Sequence, residues 1–439
     1  MLDINHKLLV ELQEKYNKKS DLKKLSYLLD KGSLFDILNV QNHENTNFIF
    51  SKEIKTLNIT NQKASGRCWI FAGLNFLREK VVTKYGITDS SFELSENYVA
   101  FYDKLEKINF FIESIDDFLT CDQDDRTLRH ILSTGVQDGG QWDMFVSVVK
   151  KYGIVPKYAM EETFSSSATK GINSLINLTL KKYAFSARKL GSKDKIKELK
   201  ITTLDNLYSL LCLLYGNPPK NFSFEYLDKD KEYHQKYLTP LELFEETIGS
   251  KIDDYISIIN APTKDKPFYK TFTVSYLGNV VSGKEIFYLN LEIDELQDLV
   301  SKQIEDGEIV WFGADVSQFH GRQDAIFNDL SYPFDDIIGY STEVSKETSL
   351  DYGISQMNHA MCFTGLNKID GKVNRYKVEN SWGTGSLHLG YWVMSKTWFE
   401  KFVFQVVIDK KYLNEKQLKA LNEKPIVLLP WDPMGSLAD

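Results

Sequence analysis

The stretch from residue 61 to residue 80, NQKASGRCWIFAGLNFLREK, constrains the fold of this 439-residue chain more than any other. Gly66 marks a turn, and Cys68 stands where that turn enters an apolar run of helical character. Residues 69–72 are all apolar, which predicts a buried helix. A thiol at a helix N-terminus has a lowered pKa, because the helix dipole and the unpaired N–H groups favour the thiolate. Cys68 is therefore a candidate nucleophile, although a lone cysteine is more often a small buried hydrophobic residue.

The rest of the sequence restricts where such a chain works and what it binds. Its net charge is −8 and its pI about 5.6, which disfavours a general phosphate-binding surface and makes nucleic acid an unexpected partner. No segment approaches the roughly 18 apolar residues of a membrane span, and the best candidate, residues 207–216, predicts a buried helix. The N-terminus lacks the apolar core and cleavage site of a secretory signal. Four widely spaced cysteines indicate reduced thiols, so we expect a cytoplasmic protein that does not associate with membranes.

Helical patterns come first along the chain and strand patterns last. Residues 91–115 carry apolar residues at helical spacing behind Ser95, a suitable N-cap, and residues 138–156 combine a glycine-rich turn with a second helix. Between residues 165 and 250 the charge density rises, and helical patterns alternate with Ser, Thr and Asn clusters. From about residue 270 onwards β-type patterns dominate. This order predicts the α+β class, with a helical half packed on a β-rich half.

The motifs tested for a cofactor or a metal ion do not match. Residues 278–285, GNVVSGKE, fit the core of a phosphate loop, but Glu285 stands where Ser or Thr is needed. The sequence that follows predicts a strand rather than a helix, so a hairpin turn is the better interpretation. The chain contains no HExxH motif, no EF-hand loop and no paired Cys and His at zinc spacing. We therefore expect neither a metal nor a cofactor.

Two further segments supply partners for Cys68. His359 heads an apolar strand-like run, and Asn380 ends another strand just before Trp382. A cysteine protease needs an acid or base beside its thiol and a third group that orients this base. The Asn380 carbonyl can accept a hydrogen bond from one imidazole nitrogen, which leaves the other facing the sulfur, and Trp382 would shield that bond from water, unless it is plain core packing. The amide of Gln62, folded back near the thiol, can stabilise a developing oxyanion together with the Cys68 N–H.

At these residues the chain resembles the papain-like cysteine proteases. The papain motif C-G-[SA]-C-[WY] matches SGRCW, which runs from Ser65 to Trp69. Ser65 replaces the first cysteine of the motif, and Arg67 replaces its small residue. His359 lies 291 residues after Cys68, about double the usual gap. The missing cysteine removes a disulfide partner that is typical of secreted members, which agrees with a cytoplasmic protein.

Both departures point to one branch, the family of bleomycin hydrolase and aminopeptidase C. The segments that resemble this family are QKASGRCWIFAGLN, FELSENYVAFYDKLEK, DGGQWDM, VWFGADV, MNHAM, ENSWG and the terminal PWDPMG. They run from residue 62 to residue 435, so the resemblance covers nearly the whole chain. It implies a cysteine aminopeptidase that acts on peptides with a free N-terminus, and it leaves open the hydrolysis of bleomycin-like amides.

The resemblance implies a role for each matching residue. Cys68 is the nucleophile, His359 the acid and base, Asn380 the residue that orients the imidazole, and Gln62 the oxyanion donor. The other cysteines have no such role. Cys362 follows His359 by three residues on a strand and faces away from it, so it is expected in the core.

The resemblance also implies how the cleft is bounded. The turn at Gly139 and Gly140 matches the family's cleft wall, where backbone groups pair with the main chain of the substrate, although a simple loop is the alternative. Residues 429–439 match the tail that enters the active-site cleft, so Ala438 and Asp439 are expected to bind the free α-amino group of the substrate. Relatives commonly end near the alanine that matches Ala438, and Asp439 adds a second negative charge.

The predicted organisation has four parts. They are an N-terminal arm with the helical half and the nucleophile (1–164), an inserted helical, hook-like subdomain (165–250), the β-rich half with the histidine and asparagine (251–428), and the C-terminal tail (429–439). In the resembled family such an insertion helps to build a hexameric barrel with inward-facing active sites. A homohexamer is therefore expected.

Two other function classes remain open at this point. Some members of the resembled family also bind nucleic acid, so the chain could act as an oligomeric nucleic-acid-binding protein. Binding to phosphates would then weaken steeply as salt rises. The same Cys, His and Asn could also serve an acyltransferase, which would need an acyl-carrier site that the sequence does not reveal.

Overall fold

Helices dominate the first half of the chain and strands the second, as the sequence predicts. The structure is a computed structural model that describes residues 1–40, 46–321 and 324–438. Its α-helices are α1 (His6–Asn17), α2 (Ser20–Leu29), α3 (Leu34–Leu38), α4 (Cys68–Tyr85), α5 (Glu96–Ser114), α6 (Arg126–Thr134), α7 (Trp142–Tyr152), α8 (Lys170–Ala187), α9 (Lys193–Tyr215), α10 (Pro240–Thr247), α11 (Ile293–Glu305), α12 (Phe334–Ile338), α13 (Lys346–Asp351), α14 (Lys396–Phe402) and α15 (Glu415–Ala420).

The strands and short 3₁₀ turns complete the described elements. The strands are β1 (Lys52–Glu53), β2 (Phe222–Leu227), β3 (Tyr233–Leu238), β4 (Tyr255–Ile259), β5 (Thr271–Val274), β6 (Tyr288–Asn290), β7 (Val310–Ala314), β8 (His320–Gly321), β9 (Ile326–Phe327), β10 (His359–Ile369), β11 (Lys372–Glu379), β12 (Tyr391–Ser395), β13 (Val403–Asp409) and β14 (Ile426–Leu428). The 3₁₀ turns are Ile115–Phe118, Lys157–Ala159, Gly249–Asp254, Asp329–Ser331, Lys410–Tyr412 and Pro433–Gly435. The α+β prediction is confirmed.

The apolar run behind the candidate nucleophile forms α4, and its first four residues are fully buried. This helix packs against the centre of the large sheet. The Cys362 thiol of β10 donates to the Ala72 carbonyl at 3.4 Å, and the Trp311 indole of β7 donates to the Trp69 carbonyl at 3.3 Å. The helix ends at Gly86, whose φ of +66° is a common helix stop. The prediction of a buried helix is therefore confirmed.

Two more helices form where the sequence predicts them. The side chain of Ser95 caps α5 by accepting a backbone N–H of the first turn, as expected. The glycine-rich turn at 138–140 leads into α7, which packs closely on α4. A Cβ at Gly73 of α4 would come within 2.8 Å of the Phe145 ring of α7. Helices α4, α5 and α7 thus share one apolar core, which is the centre of the helical half.

The β-rich half is built on one large, mostly antiparallel sheet. Its strand order is β14-β5-β6-β4-β13-β7-β10-β11-β12-β9-β8, and β1 pairs with β10. The pairs β4–β6, β5–β14 and β9–β12 are parallel. One face of the sheet packs on the helical half, and α11 and α14 cover the other. Because β10 and β11 are paired on both sides, the ends of these two strands are well fixed positions for functional side chains.

Residues 165–250 contain α8, α9, the β2–β3 hairpin and α10. Helices α8 and α9 pack on each other and on α5. The segment 207–216, predicted as a buried helix, is the last part of α9 and is buried along one face only. Leu207 and Leu211 are buried, whereas Leu213 is 79% exposed. A helix on the surface turns only every third or fourth residue inwards, so a uniformly apolar run is not uniformly buried.

The sequence argues against a phosphate loop and against a membrane-spanning segment, and the structure bears on both. Residues 278–285 form turns between the antiparallel strands β5 and β6, with no helix behind the loop. The hairpin interpretation of GNVVSGKE is therefore confirmed. Within the described ranges, none of the helices is both long and apolar enough to cross a membrane.

Candidate active site

The turn that precedes α4 folds the Gln62 side chain back towards the chain. Its amide donates from Nε2 to the Ser65 carbonyl at 2.7 Å, and its Oε1 accepts the Ser381 hydroxyl at 2.6 Å. The Gln62 backbone N–H also donates to the Ser381 carbonyl at 2.9 Å, so this residue is tied to both halves of the molecule. A primary amide has two N–H groups. The second one has no partner among the described residues and remains available to a bound ligand.

Arg67, one position before Cys68, holds the same turn from the inside. Its buried guanidinium donates from Nε to the Ser65 hydroxyl at 3.0 Å and forms a bidentate ion pair with Glu162 at 3.1 and 2.9 Å. Ser65 in turn donates to the Gln62 carbonyl at 2.6 Å. Bidentate Arg–carboxylate pairs are strong and directional. The two departures from the papain motif, Ser65 and Arg67, are therefore bonded to each other and fix the turn before the nucleophile.

Cys68 is the first residue of α4 and is fully buried. Its Sγ accepts the backbone N–H of Ala360 at 3.4 Å, so the sulfur lies at the start of β10, where His359 precedes Ala360. The side chain of the N-cap residue, Arg67, does not cap the start of α4. The orphan N–H groups of the first helical turn are therefore directed at this region, where they favour negative charge on the sulfur.

The His359 ring pairs with Asn380, which follows the neighbouring strand β11. Its Nε2 lies 2.9 Å from Asn380 Oδ1. Because a carbonyl oxygen can only accept, Nε2 carries the proton in this bond, and Nδ1 is the nitrogen left for a second partner. Asn380 Oδ1 also accepts the Ser381 N–H at 2.8 Å, which fixes the amide. The Trp382 ring centroid lies 4.9 Å from that of His359, so the indole covers the imidazole.

Burial decides the protonation of His359 in this state. The residue is only 2% exposed, and burial lowers the pKa of His359 to about 4, while the bond to Asn380 opposes this shift. The imidazole is therefore neutral near pH 7 and can accept a proton at Nδ1. An imidazolium formed here would be a strong proton donor.

A buried ion pair ties the helix of Cys68 to the strand that leads to Asn380. Arg78 of α4 and Glu379 of β11 lie 3.1 Å apart, with side chains 1% and 0% exposed. Burial raises the pKa of Glu379, and Arg78 opposes this shift. Removing one partner of such a pair is strongly destabilising, because it leaves an unpaired buried charge. The pair therefore fixes the relative position of the two halves beside the site.

Asp138 joins the cleft wall to the nucleophile turn. Its carboxylate accepts the Gly66 N–H at 3.1 Å and pairs with Lys104 at 2.6 Å, and its carbonyl accepts the Trp69 indole N–H at 2.8 Å. Thr169, just before α8, also donates to the carboxylate. Burial alone would raise the pKa of Asp138, but Lys104 and the hydrogen bonds hold that pKa well below its usual value. The carboxylate is thus a permanent acceptor that links three segments.

The C-terminal tail lies along the cleft wall. The Gly140 N–H donates to the Ala438 carbonyl at 3.1 Å, and the Ala438 N–H donates to the Gly140 carbonyl at 3.3 Å, which makes a two-way antiparallel bridge. Gly140 has no room for a side chain, since a Cβ would lie 2.4 Å from Trp69. Gly139 takes no part in this bridge, and its carbonyl accepts Lys107 Nζ at 2.7 Å. Ala438 is fully buried.

Further contacts hold the tail on its way to the cleft. Asp432 pairs with Lys266 at 2.9 Å, and the Ser436 carbonyl accepts the Gln141 amide at 2.5 Å. These contacts lie on both sides of the 3₁₀ turn Pro433–Gly435, so the tail is bound rather than frayed. Asp439, the last of the predicted site residues, lies outside the described residues.

The structure brings the sequence-predicted residues together between the helical half and the sheet. They are Gln62, Cys68, His359, Asn380 and Trp382, with Gly139, Gly140 and Ala438 at the adjoining wall. Cys362 is a buried core residue, as expected, and burial raises the pKa of its thiol.

Sequence reasoning missed the residues that hold this group in place. Arg67 and Asp138 lie inside quoted motifs, but nothing in the sequence marks Glu162 or Lys104 as their partners. Glu379 stands directly before Asn380, but it is one of several charged residues in β11, so the sequence does not single it out.

One group of potential metal ligands occurs among the described residues, at Asp228, Glu232 and His234 around the β2–β3 turn. Asp228 accepts the backbone N–H of Glu232 at 3.0 Å and lies 2.8 Å from His234 Nε2. These are the bonds of an ordinary acidic turn. The cluster is explained without a metal ion.

Comparisons with known proteins show which family the chain is similar to. A sequence model of the Peptidase C1-like family matches residues 3–435. Aminopeptidase C of Listeria monocytogenes serovar 1/2a is 47% identical over 392 residues, which are 89% of this chain and 88% of the relative. Aminopeptidase C of Lactococcus lactis subsp. lactis is 40% identical over 434 residues, 98% of each chain. The crystal structure of PepW from Lactobacillus rhamnosis matches with a TM-score of 0.96 at 43% identity, and the match covers 99% of each chain.

Proposed function

The chain belongs to the Peptidase C1-like family and is a papain-like cysteine peptidase, and from this premise we propose that it is an aminopeptidase that removes N-terminal residues from peptides. One observation carries the proposal: the tail residue Ala438 pairs with Gly140 at the wall of the cleft that holds Cys68. We infer that a chain segment in that position leaves room for only the first residue of a peptide on its side of the nucleophile. The similar proteins from Listeria monocytogenes and Lactococcus lactis are named Aminopeptidase C, which supports the same activity.

In the proposed mechanism Cys68 is the nucleophile and His359 its base. The imidazole Nδ1 takes the thiol proton as the sulfur attacks the carbonyl carbon of the first peptide bond. A C–S bond forms, and the carbonyl oxygen takes the electron pair. Asn380 orients the ring through its bond to Nε2, and Trp382 shields that bond from water.

The oxyanion that forms in this step is proposed to bind two N–H donors. One is the backbone N–H of Cys68 at the start of α4, and the other is the second N–H of the Gln62 amide. Both are fixed before the substrate arrives, so no reorganisation is needed as charge develops. The bonds of Gln62 to Ser65 and Ser381 support this role.

The intermediate collapses when the C–N bond breaks and the imidazolium of His359 gives its proton to the leaving amine. The burial that lowers the pKa of His359 favours this release. Water then attacks the thioester on Cys68 with His359 as base, and the first residue leaves as a free amino acid. These steps require no cofactor.

The tail is proposed to select for a free N-terminus. A carboxylate of Asp439 would pair with the α-amino group of the substrate, and a blocked N-terminus would lose this pair and meet the tail. Because Ala438 already engages Gly140, Gly139 is the wall residue left for the main chain of the substrate. Bleomycin-like amides that carry a free amine fit the same scheme.

The proposal extends to assembly and location. We place the enzyme in the cytoplasm as a homohexamer with inward-facing sites. The described residues include all four cysteines, and none of them forms a disulfide, which suits a reducing compartment.

Fluorogenic aminoacyl-coumarin substrates test the proposed activity on the purified protein. Cys68→Ala should abolish hydrolysis and leave the fold intact, because only the sulfur is removed. Cys362→Ala is the matched control: it removes a second buried thiol between α4 and the sheet and should retain most of the activity. Release of free amino acid, rather than transfer to another acceptor, separates a peptidase from an acyltransferase. Near wild-type turnover by Cys68→Ala would overturn the proposal.

A further inference from the structure

A cavity beside the nucleophile turn is lined by lysine side chains. It has a volume of about 910 Å³ and lies between the turn at 63–66, the cleft wall at 137–138 and the first two-thirds of α8. Lys63 comes from the turn, and Lys170 and Lys181 come from α8. All three lysines are exposed, so their ammonium groups can reach a ligand in the cavity.

Acidic side chains do not balance these lysines. Asp138 is the one acidic residue among the described residues that line the cavity, and it already pairs with the buried Lys104 at 2.6 Å. The other ion pair of this region, Arg67–Glu162, is also balanced within itself. The cavity therefore has a local positive field, although the chain as a whole carries a net charge of −8.

A second cavity extends the same field. It has a volume of about 970 Å³, shares Lys181 with the first and adds four cationic residues, and the described residues that line it include no acid. The added cations are Arg126, Arg129, Arg188 and Lys189. Ordinary protein surfaces mix both signs of charge. A cationic run along two adjoining cavities is therefore a feature of this site rather than a typical solvated surface.

The first cavity borders both the turn before the nucleophile and the cleft wall. Asp138 stands two residues before Gly140, which holds the tail through Ala438. The Asp138 carboxylate accepts the N–H of Gly66, which stands two residues before Cys68. A first substrate residue held between the end of the tail and the sulfur would lie beside Gly66 and Asp138, which both line the cavity.

Resting on the proposed aminopeptidase function, we propose that this cavity binds the side chain of the first substrate residue and favours a carboxylate there. The preferred substrates then begin with Glu or Asp. The lysines attract such a side chain and repel the cationic side chains of Lys and Arg. Because the lysines are exposed, the attraction is modest and is screened by salt.

Substrate pairs that differ only in charge measure this preference. The kcat/KM of the purified full-length protein for a glutamyl-coumarin should exceed that for the glutaminyl analogue by roughly 5- to 10-fold at low salt, as expected from three exposed charge pairs. Aspartyl and asparaginyl substrates form a second pair. The preference should shrink as the salt concentration rises.

Variants assign the preference to the lysines. A triple variant with Lys63→Gln, Lys170→Gln and Lys181→Gln should lose the preference for Glu over Gln while it still hydrolyses alanyl-coumarin. Lys170→Glu should shift the preference towards substrates that begin with Lys or Arg. Lys197→Gln, an exposed position on α9 outside both linings, is the control and should leave the preference unchanged.

The outcomes separate this proposal from the proposed function. A wild-type protein that hydrolyses alanyl and leucyl substrates but does not prefer Glu to Gln overturns the cavity proposal and leaves the aminopeptidase intact. A preference for Glu over Gln that survives in the triple variant also overturns the cavity proposal and leaves the aminopeptidase proposal intact. A wild-type protein that hydrolyses no aminoacyl substrate overturns the proposed function, and the cavity proposal falls with it.

Discussion

At the scale of single residues, the proposed chemistry depends on how firmly each group is held. The Gln62 amide is bonded on one side to Ser65 of its own turn and on the other to Ser381 beside Asn380. These bonds use the amide oxygen and one N–H. They therefore fix the orientation of the second N–H before any substrate binds. Preorganised donors of this kind stabilise charge that develops only in the transition state.

Gln62→Ala is therefore expected to lower kcat by roughly 10²–10³-fold, the usual cost of one oxyanion donor. KM should change little, because the bond strengthens mainly in the transition state. Steady-state kinetics with one aminoacyl-coumarin measures both constants. The rate at which iodoacetamide alkylates Cys68 is the control, since that reaction forms no oxyanion and should stay near the wild-type rate. A raised KM with an unchanged kcat would instead assign Gln62 to substrate binding.

Residues with reactive chemistry were predictable from the sequence, and the residues that hold them were not. Cys68, His359 and Asn380 stand in short motifs whose residue types already indicate acyl chemistry. In the sequence, Arg67 differs from the papain motif, but nothing indicates its role. Its partner Glu162 lies 95 residues further along the chain, and only the folded structure brings the two together.

At the scale of elements, the C-terminal tail has the least intrinsic structure and the most specific position. Its own residues form only the 3₁₀ turn Pro433–Gly435. Contacts with other elements hold the rest: Lys266 binds Asp432, and Gly140 pairs with Ala438. Local propensity therefore predicts a frayed end, which is common at chain termini. Only the match of PWDPMG to the resembled family indicated a bound tail.

Deletion of residues 436–439 is expected to convert the enzyme towards an endopeptidase. The deletion removes the bridge at Gly140 and the proposed partner of the α-amino group, so aminopeptidase activity should fall and N-terminally acetylated peptides should become substrates. Mass spectrometry of the cleaved peptides identifies the bonds that are hydrolysed. Deletion of Asp439 alone is the graded control, since it keeps the bridge and removes only the last residue. A truncated enzyme that keeps full aminopeptidase activity and still rejects acetylated peptides would show that the tail is not the gate.

At the scale of the whole molecule, the site depends on pairings between distant parts of the chain. The nucleophile turn, the cleft wall, the strand ends and the tail come from residues 62–68, 138–140, 359–382 and 438. Strand patterns along the chain predict that a sheet exists but not its order. The edge pair β14–β5 joins residues 426–428 to residues 272–274 in parallel, and no local signal marks that pairing. Helix positions are predictable because caps and apolar spacing are local, whereas sheet order is set by long-range packing.

Residues 165–250, the predicted insertion, have a surface that suits assembly. Helices α8 and α9 pack on the helical half through one face, and they expose large apolar side chains on the others. Leu175 of α8 is 45% exposed, and Ile201 and Leu213 of α9 are 60% and 79% exposed. Exposed apolar side chains in such number are costly on a monomer and are typical of protein–protein contacts. They support the proposal that this region joins protomers.

Light scattering on the purified protein should accordingly give a mass near six times the 50.7 kDa of one chain. Leu213→Glu combined with Ile201→Glu should reduce that mass, because charges on a buried contact are not compensated when protomers associate. Ile369→Glu, at an exposed position at the end of β10, is the matched control and should leave the mass unchanged. Activity towards aminoacyl-coumarins should survive dissociation, since the described catalytic group comes from one chain. A clean monomer of the wild-type protein at micromolar concentration would remove the inward-facing cage and leave the tail as the proposed selector for a free N-terminus.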